Sequence, residues 1–211
     1  MRVSALLLHG MGRTSLSMAL LARRLRAAGM EARCFGYMAA LERFPACRVR
    51  LLERIVALKP PYVLIGHSLG SVLIRSVLPE LATQPIACFF LTPPTVACRL
   101  ARRFAPRWYY RMLNGEMGQL LADPEFMAAL PVPSMPTTIY TGTRGFLGRF
   151  SPFAEETNDW ILSKTETMLP ETYSNIRHVE IFATHSFIMN KRIIADDIIA
   201  QTRLVETGDG V

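Results

Sequence analysis

Gly66-His67-Ser68-Leu69-Gly70 stands between the apolar run Tyr62-Val63-Leu64-Ile65 and a helical pattern over residues 71–78. A strand running straight into a helix through a Gly-x-Ser-x-Gly turn narrows the fold to an α/β layer structure with an open strand end. Glycines two positions either side remove side chains that would collide where strand and helix meet, and they leave the serine hydroxyl projecting from the turn. Ser68 is therefore the first candidate functional residue. The plainer reading is a small-residue turn that happens to hold a serine.

The rest of the chain repeats the alternation. Short apolar runs at residues 3–8, 31–36, 62–65, 86–91, 137–141 and 178–182 read as strands. Between them lie helical patterns, as a mainly parallel sheet of about six strands with helices on both faces requires. Leu16, Leu20, Leu21, Leu25 and Ala28 predict the first helix, capped by Thr14 or Ser15 and stopped by Gly29. Val49, Leu52, Ile55 and Val56 predict the next, ended by Pro60-Pro61. No repeat or linker splits residues 1–211, so a single domain is expected.

Residues 93–136 form a long insertion between the fourth and fifth strands. Leu100, Phe104, Trp108 and Met112 recur there every four residues, with Arg99, Arg103, Arg107 and Arg111 one position earlier. In a helix the two rows lie side by side, an apolar stripe flanked by positive charge, with a break or kink at Pro106. The bland reading is a helix packed on the domain with solvated arginines. The functional reading is a cap whose stripe lines the path of an apolar acyl chain or makes weak contact with an anionic lipid surface.

Half of the 211 residues are hydrophobic and 19% are charged, which excludes a disordered chain. The four cysteines show no C-x-x-C pair and read as reduced core thiols, so neither a zinc site nor a redox motif is expected. The net charge of +7 comes from arginines spread along the chain with no nucleic-acid-binding pattern, so no nucleic-acid partner is expected. The N-terminal apolar stretch is too short for a signal-peptide core, and residues 86–98, interrupted by two prolines, are too short to span a membrane. A soluble chain in the cytoplasm is the resulting expectation.

A serine hydroxyl needs a base and the base needs an orienting carboxylate, in this architecture following the nucleophile in the order acid then histidine. His185, three residues past the last strand, fits the base; His9, His67 and His178 fit worse. Asp159, in the loop after the fifth strand, is favoured as the acid. Asp123 in the insertion is its rival, and an N-cap of a helix beginning at Trp160 is the plainer role for Asp159. No pair of histidines has metal-helix spacing, so no metal is expected. Oxyanion donors are expected from the backbone N–H of Leu69 and, in the turn His9-Gly10-Met11-Gly12-Arg13, of Met11. Ser15 at the third glycine position argues against reading that turn as a dinucleotide site.

HGMGR, GHSLG, TGTRG, ETNDW and THSFIM, in this order along nearly the whole chain, resemble the α/β-hydrolase superfamily and its small lipase-like bacterial members. The resemblance implies an α/β-hydrolase fold and ester hydrolysis through Ser68, Asp159 and His185, with Met11 and Leu69 as oxyanion donors and no cofactor. The substrate implied is a small-molecule ester with an apolar part. Thioesterase or acyltransferase activity uses the same parts, and a non-catalytic lipid- or protein-binding module is the alternative from another class. Two positions depart from the pattern: Trp160 where a glycine usually follows the acid, and Ser71 where a second glycine often follows the elbow.

Overall fold

Six short runs, the inner four buried on both faces, pair into one parallel sheet. In the computed structural model, which describes residues 2–170 and 172–207, these are β1 (Ser4–Leu8), β2 (Glu31–Phe35), β3 (Tyr62–His67), β4 (Ala87–Leu91), β5 (Thr137–Gly142) and β6 (Ile176–Ile181). Their order across the sheet is β2-β1-β3-β4-β5-β6, every neighbouring pair parallel. β1, β3, β4 and β5 are buried throughout, and for that reason they read as unbroken apolar runs.

The period-2 alternation of each strand sends its side chains to two separate cores. Leu6, Leu8, Leu64 and Phe90 face α2 (Phe44–Val56) and α3 (Leu69–Val77). Ala5, Leu7, Ile65 and Phe89 face α1 (Ala19–Ala27) and the C-terminal helix α8 (Arg192–Thr207). The order in which strands are added reverses between β1 and β3, and an open α/β sheet has its crevice at such a point, at the carboxyl ends of the strands.

Two helices sit in a different phase from the one their sequence suggests. The first opens with a 3-10 turn over Ser15–Met18, which rotates Leu16 out to solvent; Met18, Leu21, Ala22 and Leu25 are the buried positions. Gly29 does end it, with φ 96°. In α2 the buried face is Phe44, Cys47, Leu51 and Ile55, while Val49 and Val56 are exposed, and the helix stops at Val56, ahead of Pro60-Pro61. Apolar residues occupy both faces of each helix, and packing against the sheet decides which is used.

The insertion carries α4 (Arg99–Phe104), α5 (Trp108–Leu120) and α6 (Pro124–Ala129) between β4 and β5. α5 is broken at Gly115, whose φ of 57° and close approach to the Ala40 carbonyl, 2.5 Å from where a Cβ would lie, admit no side chain. At its far end the insertion is fastened to α3. Arg75 is buried and donates from Nε to the Pro131 carbonyl at 3.0 Å and from Nη2 to the Leu130 carbonyl at 2.9 Å. At its near end Thr95 donates from Oγ1 to the carbonyls of Glu166 and Met168, and the Glu166 carboxylate accepts from Arg99 N, tying α4 to α7 (Lys164–Thr167).

Candidate functional site

Ser68 joins β3 to α3 with φ 50° and ψ −119°, a conformation that costs a non-glycine residue on the order of 1–3 kcal/mol. The surrounding contacts hold it there. A Cβ on Gly66 would lie 2.6 Å from Ser71 N, and one on Gly70 would lie 2.7 Å from the Leu8 carbonyl oxygen, so strand and helix meet at this distance only with glycine at both positions. Ser71 suits the turn because its hydroxyl donates to the Gly66 carbonyl at 2.9 Å.

Asp159 and His185 come from separate loops at the same end of the sheet. The Asp159 carboxylate, fully buried, accepts from His185 Nδ1 through Oδ2 at 2.7 Å, and through Oδ1 from the N–H groups of Ile161 and Leu162 at 3.0 and 2.8 Å. His185 N also donates to the Asp159 carbonyl, at 2.9 Å. With its proton on Nδ1, the neutral imidazole keeps Nε2 as an acceptor. Asp159 caps no helix: residues 160–162 are a bend, and α7 starts two residues later under its own capping box, Ser163 with Glu166. Asp123 is the residue that caps one, accepting from Glu125 N and Phe126 N at the start of α6. The two carboxylates thus have opposite surroundings from those of the alternative assignment.

Trp160 adopts φ 86°, the left-handed region in which glycine is at ease, and its ring stacks on Phe146 at 6.0 Å. The tight turn after Asp159 is therefore made with a bulky residue in a glycine conformation. Gly142 at the end of β5 permits the approach of the acid, since a Cβ there would lie 2.8 Å from Asp159 Cβ.

His67, inside the elbow, positions its neighbour. Its Nε2 lies 2.9 Å from the His185 carbonyl oxygen, and complete burial, with the nearby charges of His185 and Arg13, holds its pKa well below the usual histidine range. A neutral ring donating from Nε2 fixes the backbone of His185. His9 is also buried; its Nδ1 is 2.8 Å from the Gly10 carbonyl oxygen and its ring stacks on Tyr37 at 4.1 Å, shaping the turn after β1. That turn reaches the elbow: a Cβ on Gly10 would lie 3.1 Å from Ser68 Cβ. Leu69 N–H, first in α3, has no intrahelical acceptor, and among the described residues Met11 N–H donates to no protein acceptor.

A cavity of about 350 Å³ opens above these groups, lined by Ser68, His185, His67 and Met11 below and by insertion residues above. Leu100 and Phe104 of α4 line it, whereas Trp108 and Met112 do not; those two are 72% and 63% exposed. The four-residue spacing runs across the break at residues 105–107, and beyond it the helical phase restarts with Tyr110 and Asn114 facing the cavity. Tyr110 and Asn114 on the cavity face are followed at one-turn spacing, a signal that the more apolar row conceals. Arg99 leaves the solvated arginine row as well: its Nη2 donates to Ser163 Oγ at 3.0 Å and pairs with Glu156, clasping α4 to the acid loop. Among the described residues no group of three His, Cys, Asp or Glu side chains is arranged to hold a metal ion.

Residues 5–189 match the model of the alpha/beta hydrolase family. The chain belongs to that family. No curated protein matches the hydrolase in sequence. Among solved structures it is similar to one from a study of the metagenome-derived lipolytic enzymes LipS and LipT, at TM-score 0.73 and 13% identity over 96% of this chain and 94% of that one. It is similar to the Bacillus licheniformis lipase BlEst2, at TM-score 0.68 and 15% identity over 97% and 92%. Polyneuridine aldehyde esterase matches at TM-score 0.64 and 12% identity over 96% and 100%. At such identities these likenesses carry the fold alone.

Proposed function

We propose that this hydrolase cleaves carboxylic esters with an apolar acyl or alkyl part through an acyl-enzyme intermediate. The observation that supports the reading best is the 2.7 Å Asp159–His185 hydrogen bond behind a cavity lined by both His185 and Ser68. Ser68 Oγ attacks the ester carbonyl carbon while His185 Nε2 takes the hydroxyl proton, and Asp159 stabilises the imidazolium that forms. The oxyanion is held by the N–H groups of Met11 and Leu69. Collapse of the tetrahedral intermediate breaks the C–O bond, and His185 returns the proton to the leaving alkoxide. Water then attacks the acyl-Ser68 carbonyl by the same route, releasing the acid. The apolar part of the substrate lies against Leu100, Phe104 and Leu162.

The test is covalent labelling of Ser68 by a fluorophosphonate together with turnover of nitrophenyl esters. Ser68→Ala should lose the label and roughly 10⁴-fold or more in kcat. Asp159→Asn should cost about 10³- to 10⁴-fold by presenting the wrong tautomer, while Asp123→Asn, whose amide still caps α6, should change little. A labelled alanine variant, or the reverse ranking of the two asparagine variants, would defeat the assignment. A protein inert to esters and unlabelled would belong to the binding-module alternative.

A further inference from the structure

Arg13 stands two residues after Met11 in the turn that follows β1, and its side chain lines the same cavity as Ser68 and His185. It is half-buried, and among the described residues no carboxylate pairs with it. Its guanidinium lies over the ring of Phe187, 5.8 Å from the guanidinium carbon to the centroid, which steadies the side chain without neutralising it. The charge is close enough to the elbow to help keep His67 neutral.

Arg13 also lines a second depression, an open groove that shares Met11, Arg13 and Ser186 with the cavity. The two halves differ in chemistry. Under α4 and α5 the wall is mostly apolar; in the groove Thr14, Ser17 and Ser186 supply hydroxyls. No aspartate or glutamate lines either one. The cap reinforces this sign, since residues 93–115 contain five arginines and no acidic residue. For an ester whose carbonyl sits at Ser68 with its acyl chain under α4 and α5, the residues shared by the two depressions, Met11, Arg13 and Ser186, offer a place for the leaving group. A guanidinium held without a counter-charge in such a place suits an oxyanionic group, which it grips through paired N–H donors.

We propose that Arg13 binds a carboxylate or phosphate on the leaving-group side, so that the preferred substrates are acyl esters of small anionic alcohols. The proposal rests on Ser68 being the nucleophile. It goes further in assigning the two ends of the substrate to the two depressions.

Two pairs of hexanoyl esters test it. 4-Nitrophenyl hexanoate is compared with 4-hexanoyloxy-3-nitrobenzoate for a carboxylate, and 1-hexanoylglycerol with its 3-phosphate for a phosphate. Arg13→Gln should lower kcat/KM for the anionic member of at least one pair by about 10- to 150-fold, the loss of a hydrogen-bonded charge contact. The neutral members should change less than about twofold, and Arg13→Lys should recover part of the loss. Which pair responds identifies the anion. Equal losses on neutral and anionic esters, or no loss on either, with Ser68 still labelled by fluorophosphonate, would overturn this proposal alone. Absence of both label and turnover in the unmodified protein would overturn the nucleophile assignment and this proposal with it.

Discussion

Trp160 is one of the residues that hold a backbone conformation suited to glycine. An L side chain at φ 86° is strained, and stacking on Phe146 offsets part of that strain. Trp160→Gly and Trp160→Ala both remove the stack, but only glycine relieves the backbone. The glycine variant should therefore be the more stable of the two by about 1 kcal/mol in urea unfolding. Equal midpoints would show that the turn is not strained. Legibility at this scale followed what a residue does. The places of Ser68 and His185 could be read from the order of motifs, and that of Asp159 from its loop after a strand, because all three positions follow strand ends on one side of the sheet. Arg75 and Arg99 could not, since their partners lie 55 to 67 residues away in sequence and are mostly backbone and loop groups. The signal available was a lone arginine inside the apolar helix of the elbow, a position where a charged residue must find partners.

At the scale of elements, strands were easier to read than helices. A parallel strand buried on both faces is an apolar run with turn residues at its ends, and every observed strand lies within two residues of the run that suggested it. Helix phase is decided by which of two apolar faces meets the sheet, and a 3-10 turn or a proline break resets it. The cap shows the cost of that reset. Phe104 lines the cavity while Trp108, one expected turn later, faces solvent. Phe104→Ala should accordingly lower the ratio of kcat/KM on decanoyl to that on acetyl esters by about 5- to 10-fold, part of the value of a fully buried side chain. Trp108→Ala should leave the ratio within about twofold. A larger effect at Trp108 than at Phe104 would mean that α5 turns inward when substrate binds.

For the whole molecule, the two histidines buried beneath the site make stability depend on pH. Burial lowers the pKa of His67 strongly and also that of His9. Below about pH 6.5 the unfolded chain takes up protons that the folded chain refuses, so stability falls as pH drops through that value, by up to ~1.4 kcal/mol per pH unit for His67 alone. Urea unfolding at pH 7.5, 6.0 and 5.0 measures this, and a flat profile would show that the folded protein accommodates both protons. The sheet ends in charged strands, with Glu31 and Arg33 on β2 and Arg177 and Glu180 on β6, which discourages a second copy from pairing there. The fastening of the insertion at both stems, by Thr95 with Glu166 at one end and Arg75 at the other, has an evolutionary consequence. Mutations between the stems can reshape the cavity wall formed by α4 and α5 while Ser68, Asp159 and His185 stay where β3, β5 and β6 put them. On the proposed function, acyl-chain preference can then drift through changes in residues 93–136 with Ser68, Asp159 and His185 left untouched.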